Sequence, residues 1–163
     1  MDARKSRAVV RIVDDDKGVR DSYKYLIEGE GWLVRTYSSA EDFLEHDDPT
    51  IQGCGVFDVR MPGISGLELQ SKLAQRSAQL PVILVSAHGD IETAVKALKQ
   101  GAMDFLCKPV VDEKLLEVID RAVEKSFSDA FTGTAILITG IASSFFCSII
   151  WTLPSENNLF TLP

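Results

Sequence analysis

The sequence predicts an α/β domain in which helices cover both faces of a doubly wound, five-stranded parallel sheet. Three observations predict it. Five short apolar runs alternate with segments of helical period over about 125 residues. Helix start and stop residues stand where those segments change. No hairpin turn joins consecutive apolar runs, so an α+β fold with antiparallel pairs lacks the connections it needs.

The elements follow in order. The first strand is "AVVRIV" (8–13), and Asp16 is placed to cap the helix after it. Val19, Tyr23, Leu26 and Ile27 form that helix's apolar face, with Gly29 or Gly31 at its end. The second strand is "WLVRTY" (32–37), and Ser39 with Asp42 opens the next helix as a weak capping box. The third strand, "CGVFD" (54–58), leads to a stronger box, Ser65 with Glu68. The fourth is "PVILVS" (81–86), followed by an N-cap at Asp90 and a helix with Ile91, Ala94, Val95 and Leu98 on one face. Gly101 ends it. The fifth strand is "MDFLC" (103–107), and Asp112 caps a last helix with Leu115, Leu116, Ile119, Ala122 and Val123 inward.

Composition narrows the function classes. The chain has 163 residues, 25% of them charged, with a net charge of -7. An acidic balance gives no support for general nucleic-acid affinity. Cys54, Cys107 and Cys147 are far apart and form no disulfide or zinc spacing, as expected of a reducing, cytoplasmic compartment. "AVVRIV" is too short for a secretory signal. Every Lys and Arg lies at or before Lys125, and beyond Phe131 the only charged side chain is Glu156. The chain therefore divides into a mixed-charge body, 1–129, and an apolar tail, 130–163, with no recognisable domain.

In open α/β sheets the working crevice lies beyond the carboxyl ends of the strands. The first strand ends in Asp14 and Asp15, the third in Asp58, the fourth in Ser86, and Lys108-Pro109 follows the fifth. Taken singly, each reads as a turn, cap or solvated loop residue. Taken together they place three acids, a hydroxyl and an amine at one rim. Packed carboxylates repel, so Mg²⁺ is the natural counter-ion, and its shell commonly includes a phosphate oxygen. Asp58 can then act as a nucleophile and form an aspartyl phosphate. The strand stops there to hold the carboxylate at the crevice, and Met61-Pro62-Gly63 turns the chain away.

Together "VDDD", "FDVRMPGISGLEL" and "PVILVSAHGDIETAVKALKQGAMDFLCKP" resemble the receiver domain of bacterial two-component response regulators, most of all its FixJ-like branch. The resemblance runs from about Ala8 to Lys125. It implies a (βα)5 flavodoxin-like receiver fold with Asp58 as phosphoacceptor. It also implies Mg²⁺ held by Asp14, Asp15, Asp58 and the backbone carbonyl of Arg60. Ser86 would be the switch hydroxyl, Lys108 the phosphate-contacting lysine before a cis Pro109, and Phe105 the aromatic switch residue. Arg60 and His88 occupy positions that tune the phosphorylated lifetime, although His88 alone reads equally as a solvated loop residue. The implied partners are a sensor histidine kinase and a second copy, joined on phosphorylation through the fourth helix and fifth strand. Leu98, Lys99, Phe105, Val110 and Val111 contribute to that face, although the two valines could simply seat the last helix.

Two other classes fit less well. A haloacid-dehalogenase phosphatase wants a second acid two residues after its nucleophile, where Arg60 stands. A flavodoxin-like flavin binder needs a hydroxyl-rich loop after the first strand, where three acids stand. The tail departs from the family. A FixJ-like regulator continues into a basic helix-turn-helix domain, whereas residues 130–163 carry no Lys or Arg, so no direct DNA binding is expected of this chain. A truncated or frame-shifted regulator is the favoured reading of the tail. The others are an apolar flap or strand packed on the body or on a second copy, and a membrane anchor through 134–153. A single-domain phosphorelay or scaffold protein is the functional alternative.

Overall fold

The computed structural model describes residues 2–76, 80–89 and 91–149, without the side chains of 132–149. Its elements are β1 (Val9–Val13), α1 (Lys17–Gly29), β2 (Leu33–Tyr37), α2 (Ala40–His46), β3 (Gly53–Asp58), α3 (Gly66–Gln75), β4 (Val82–Ser86), α4 (Ile91–Lys99), β5 (Asp104–Cys107) and α5 (Asp112–Ile149). The strands form one parallel sheet in the order β2-β1-β3-β4-β5. This is the predicted doubly wound α/β fold, and its order reverses between β1 and β3, which is where a site belongs.

Local chemistry sets the helix boundaries. Asp16 caps α1, accepting hydrogen bonds from the N–H groups of Gly18 and Val19 at 2.7 and 3.3 Å. Ser65 and Glu68 form the full capping box at α3. At α2 the box is only half made. Ser39 accepts from Asp42 N–H, but the Asp42 carboxylate reaches back to Ser38 instead. Gly29 stays inside α1, and Gly31, with φ +87°, takes the left-handed turn after it. Helix α5 begins at Asp112 itself, and the Asp90 cap lies outside the described residues.

Alternate strand residues feed two cores. Val10, Ile12, Val56, Ile83 and Val85 pack against Ile27 of α1 and Leu115, Val118, Ile119 and Ala122 of α5. Val13, Phe57 and Leu84 pack against Phe43 of α2, Leu69 and Leu73 of α3, and Ala97 of α4. Continuous burial along β1, β3 and β4 is what a sheet covered on both faces requires.

The shared apolar face of helix α4 turns largely outward, with Ile91 82%, Val95 42% and Leu98 48% exposed. Ala97 alone is buried, and the buried Gln70 side chain donates to its carbonyl at 3.3 Å. A small residue brings the helix close to α3 and leaves the larger apolar side chains facing solvent.

Residues up to Asp129 form one compact unit, and those from Ala130 a second. The backbone of 130–149 is helical, so a strand is not the form of that part of the tail. Among the described residues no helix is long and apolar enough to cross a membrane, and the 134–153 anchor reading extends past Ile149, outside the described residues.

Candidate functional site

Parallel register brings three chemistries to one sheet edge. Val13 pairs with Phe57, so Asp14 and Asp58 leave adjacent strand ends together. On the other side Asp58 pairs with Val85, next to Ser86, and Ser86 pairs with Cys107, next to Lys108. The Lys108 N–H donates to the Ser86 carbonyl at 2.8 Å, continuing the ladder into the cis Lys108-Pro109 bond.

The Lys108 ammonium lies between two buried carboxylates. Its Nζ donates to Asp14 Oδ2 at 2.7 Å and to Asp58 Oδ1 at 2.6 Å. The second oxygen of each acid is also held. Asp14 Oδ1 accepts from Asp16 N–H at 2.8 Å, and Asp58 Oδ2 from Arg60 N–H at 2.7 Å. Burial pushes the Asp58 carboxyl above its ordinary value, and the Lys108 charge opposes that rise. Burial works against the Lys108 charge, but its bonds to Asp14 and Asp58 outweigh burial and raise its pKa.

The other expected residues are placed differently. Asp15 is exposed, as are Arg60 and His88. The Ser86 hydroxyl is buried and already engaged, donating to the His88 carbonyl at 2.9 Å and accepting from its N–H at 3.1 Å. Phe105 is half-buried against the second core. Of the three expected acids, Asp14 and Asp58 meet through Lys108. Among the described residues no group of three or more Asp, Glu, His or Cys is arranged to hold a metal. The pair that does meet still has the right chemistry, since two carboxylate oxygens converge on one cation.

Replacing that cation gives a pH-dependent result. Lys108→Met leaves two buried carboxylates facing each other, and at pH 7 it should cost about 2 kcal/mol, a partly screened version of breaking a buried pair. A carboxyl raised above its unfolded value of 3.8 favours the folded state below that pH and loses this contribution as pH rises through its folded pKa. Losing Lys108 raises Asp58 further. Denaturant titrations should therefore show variant and parent converging near pH 4 and separating toward pH 7. A constant gap across that range would contradict the pairing.

Sequence reasoning passed over one buried network. Arg11 interrupts the apolar run of β1 and is fully buried. Its Nε donates to both oxygens of Asp47 at 2.8 and 2.9 Å, Nη1 to the Val9 carbonyl, and Nη2 to the Asp48 and Ile51 carbonyls. The Tyr37 hydroxyl also donates to Asp47, at 2.8 Å. Burial, reinforced by that carboxylate, pushes the Tyr37 phenol up to about 12. The charged residue in the middle of "AVVRIV" was the available signal.

With this geometry established, comparisons with known proteins agree with one another. The family model described as response regulator receiver domain matches residues 10–120. Over 116 residues the chain is 44% identical to the transcriptional regulatory protein TdiR of Thauera aromatica, covering 71% of this chain and 51% of that protein. Over 117 residues it is 44% identical to the transcriptional regulatory protein FixJ of Azorhizobium caulinodans, covering 72% and 56%. Among solved structures, the crystal structure of FixJ-N is similar at a TM-score of 0.67 and 41% identity, covering 72% of this chain and 94% of that one. The low-resolution structure of response regulator StyR gives 0.75 and 38%, covering 87% and 70%. The matched region spans about half the length of the curated relatives.

Proposed function

The chain belongs to the response regulator receiver family of bacterial two-component systems, and on that premise we propose that it is a phosphorylation switch with Asp58 as phosphoacceptor. The observation that carries this reading is the Lys108 bridge between Asp14 and Asp58 at adjacent strand ends.

In this reading a sensor histidine kinase presents a phosphohistidine to the crevice in the cytoplasm. Asp58 Oδ1 attacks phosphorus, forming an O–P bond as the P–N bond breaks and the histidine nitrogen leaves. Mg²⁺ would be held by Asp14, Asp15, Asp58 and the Arg60 carbonyl, supplying positive charge beside the phosphoryl group. Lys108 exchanges its bond with Asp58 for one with a phosphoryl oxygen. The Arg60 N–H keeps the acceptor carboxylate oriented, and Arg60 with His88 lines the approach and sets how soon water removes the phosphoryl group.

The Ser86 hydroxyl must leave the His88 backbone to reach the phosphoryl group, and Phe105 follows it inward. That exchange gives the switch two discrete arrangements, which phosphorylation biases. Its output is the surface of α4 and β5, where Leu98 and Lys99 end the helix and Phe105, Val110 and Val111 follow. The outward apolar stripe of α4 supports this role, because water leaves Ile91, Val95 and Leu98 when two copies meet. The relatives are named as transcriptional regulators, so a transcriptional output is proposed for the system in which this receiver works. No observation favours a phosphorelay scaffold or a membrane-tethered form over this reading.

The test uses Mg²⁺ and acetyl phosphate. Intact mass should rise by one phosphoryl group, and light scattering should show residues 1–129 moving from monomer toward dimer. Full phosphorylation with no dimer at high concentration would exclude the α4–β5 output. No mass gain would exclude the switch itself.

A further inference from the structure

We propose that Glu41, on α2, is a positioning residue for the metal site: its carboxylate ties down the loop that carries the Arg60 carbonyl. The inference rests on the proposed Mg²⁺ site and adds a residue to it. The loop covers residues 59–65, between the phosphoacceptor strand and α3. Its first half is held from several sides. The Val59 N–H donates to the Val85 carbonyl at 2.8 Å, the Arg60 N–H to Asp58 Oδ2 at 2.7 Å, and the Met61 side chain is buried. The second half turns through the exposed Pro62 and Gly63.

There the Ile64 N–H donates to Glu41 Oε1 at 3.1 Å, across 23 residues of sequence. The next two amides stay local. Ser65 N–H donates to Glu68 of α3 at 2.9 Å, and Gly66 N–H to the Val59 carbonyl at 3.2 Å. Among the described residues, Glu41 is the hydrogen-bond partner that residues 62–65 find outside the loop and α3. Gly63 makes room for it. Its φ of +75° suits glycine, and a Cβ there would stand 2.6 Å from Glu41 Oε1. Hydrogen bonds from its own N–H and from Ile64 hold the Glu41 carboxyl below its ordinary value, so the acceptor is ionised and the bond charge-assisted.

The Arg60 carbonyl belongs to the peptide that joins Arg60 to Met61. Its direction is therefore set by where the chain goes next, and the Arg60 N–H bond does not fix it. Released at Ile64, the turn samples other paths, and the carbonyl faces the crevice for a smaller fraction of the time. Apparent Mg²⁺ affinity falls with that fraction.

The test uses MgCl2 alone, without phosphodonor. Amide shifts of the full chain are followed by NMR as Mg²⁺ is added, and hydrogen exchange of the Ile64 amide is measured beforehand. In Glu41→Ala that exchange should quicken about fivefold and the Mg²⁺ dissociation constant rise by a similar factor, as expected for losing one hydrogen bond. Glu41→Gln keeps an acceptor oxygen and should stay within about twofold of the parent on both counts. Glu41 is exposed, so both variants should fold. Unchanged Ile64 exchange or unchanged Mg²⁺ affinity in Glu41→Ala would overturn the tether. Equal weakening in Glu41→Gln would also overturn it, because charge alone would then account for the effect. Absence of saturable shifts near Asp14 and Asp58 in the parent would instead overturn the Mg²⁺ site itself, and the tether's role with it.

Discussion

Asp47→Ala is expected to destabilise the domain by about 3–5 kcal/mol, the cost of stranding a buried charge. Arg11 is fully buried and the Asp47 side chain only 7% exposed, so water cannot replace the lost carboxylate without opening the core. The Tyr37 hydroxyl loses its acceptor in the same step. In a domain of this size the melting temperature should fall by roughly 10–20 °C. The double variant Arg11→Leu with Asp47→Ala removes both charges and should regain at least half of the loss. A single variant within about 1 kcal/mol of the parent would mean that the pair carries little of the fold's stability.

Asp58→Asn is expected to lower phosphoryl incorporation at least about 100-fold, because an amide oxygen is a far weaker nucleophile than a carboxylate. The fold should hold. The amide keeps an acceptor for the Arg60 N–H, and it removes a carboxyl whose burial raises its pKa beside Asp14. Lys108 retains Asp14 as its partner. Melting curves of parent and variant should therefore lie close together, which separates lost chemistry from lost structure. Undiminished incorporation in the variant would remove Asp58 from its proposed role.

The strands were legible because parallel sheets covered on both faces are written as continuous apolar runs, and "VILVS" and "VVRIV" are such runs. Their order then brought Asp14, Asp58 and Lys108 to one edge without further information. The direction of the apolar face of α4 was not legible, for a definite reason. Period 3.6 reveals that Ile91, Val95 and Leu98 share a face, but not whether that face meets the core or solvent. Ala97 decided the matter, and alanine carries little signal in a hydropathy pattern. Lys108 was legible as an amine at this rim, but its two carboxylate partners were not, because side-chain reach across three strands is not encoded in spacing. Arg11 was the opposite case: its charge within β1 was visible, but its partner Asp47 lies 36 residues away in an unremarkable "EHDDP".

Reductive trapping reads out whether Asp58 carries the phosphoryl group. The full chain is incubated with Mg²⁺ and acetyl phosphate, quenched with borohydride, digested and mapped by mass. Borohydride reduces the acyl carbon of an aspartyl phosphate to an alcohol as phosphate leaves, marking the site as homoserine, whereas a phosphoserine is untouched. Homoserine is expected in place of Asp58 and at no other position. Homoserine in place of Asp14 or Asp15, or phosphate retained on Ser86 with Asp58 unreduced, would contradict it.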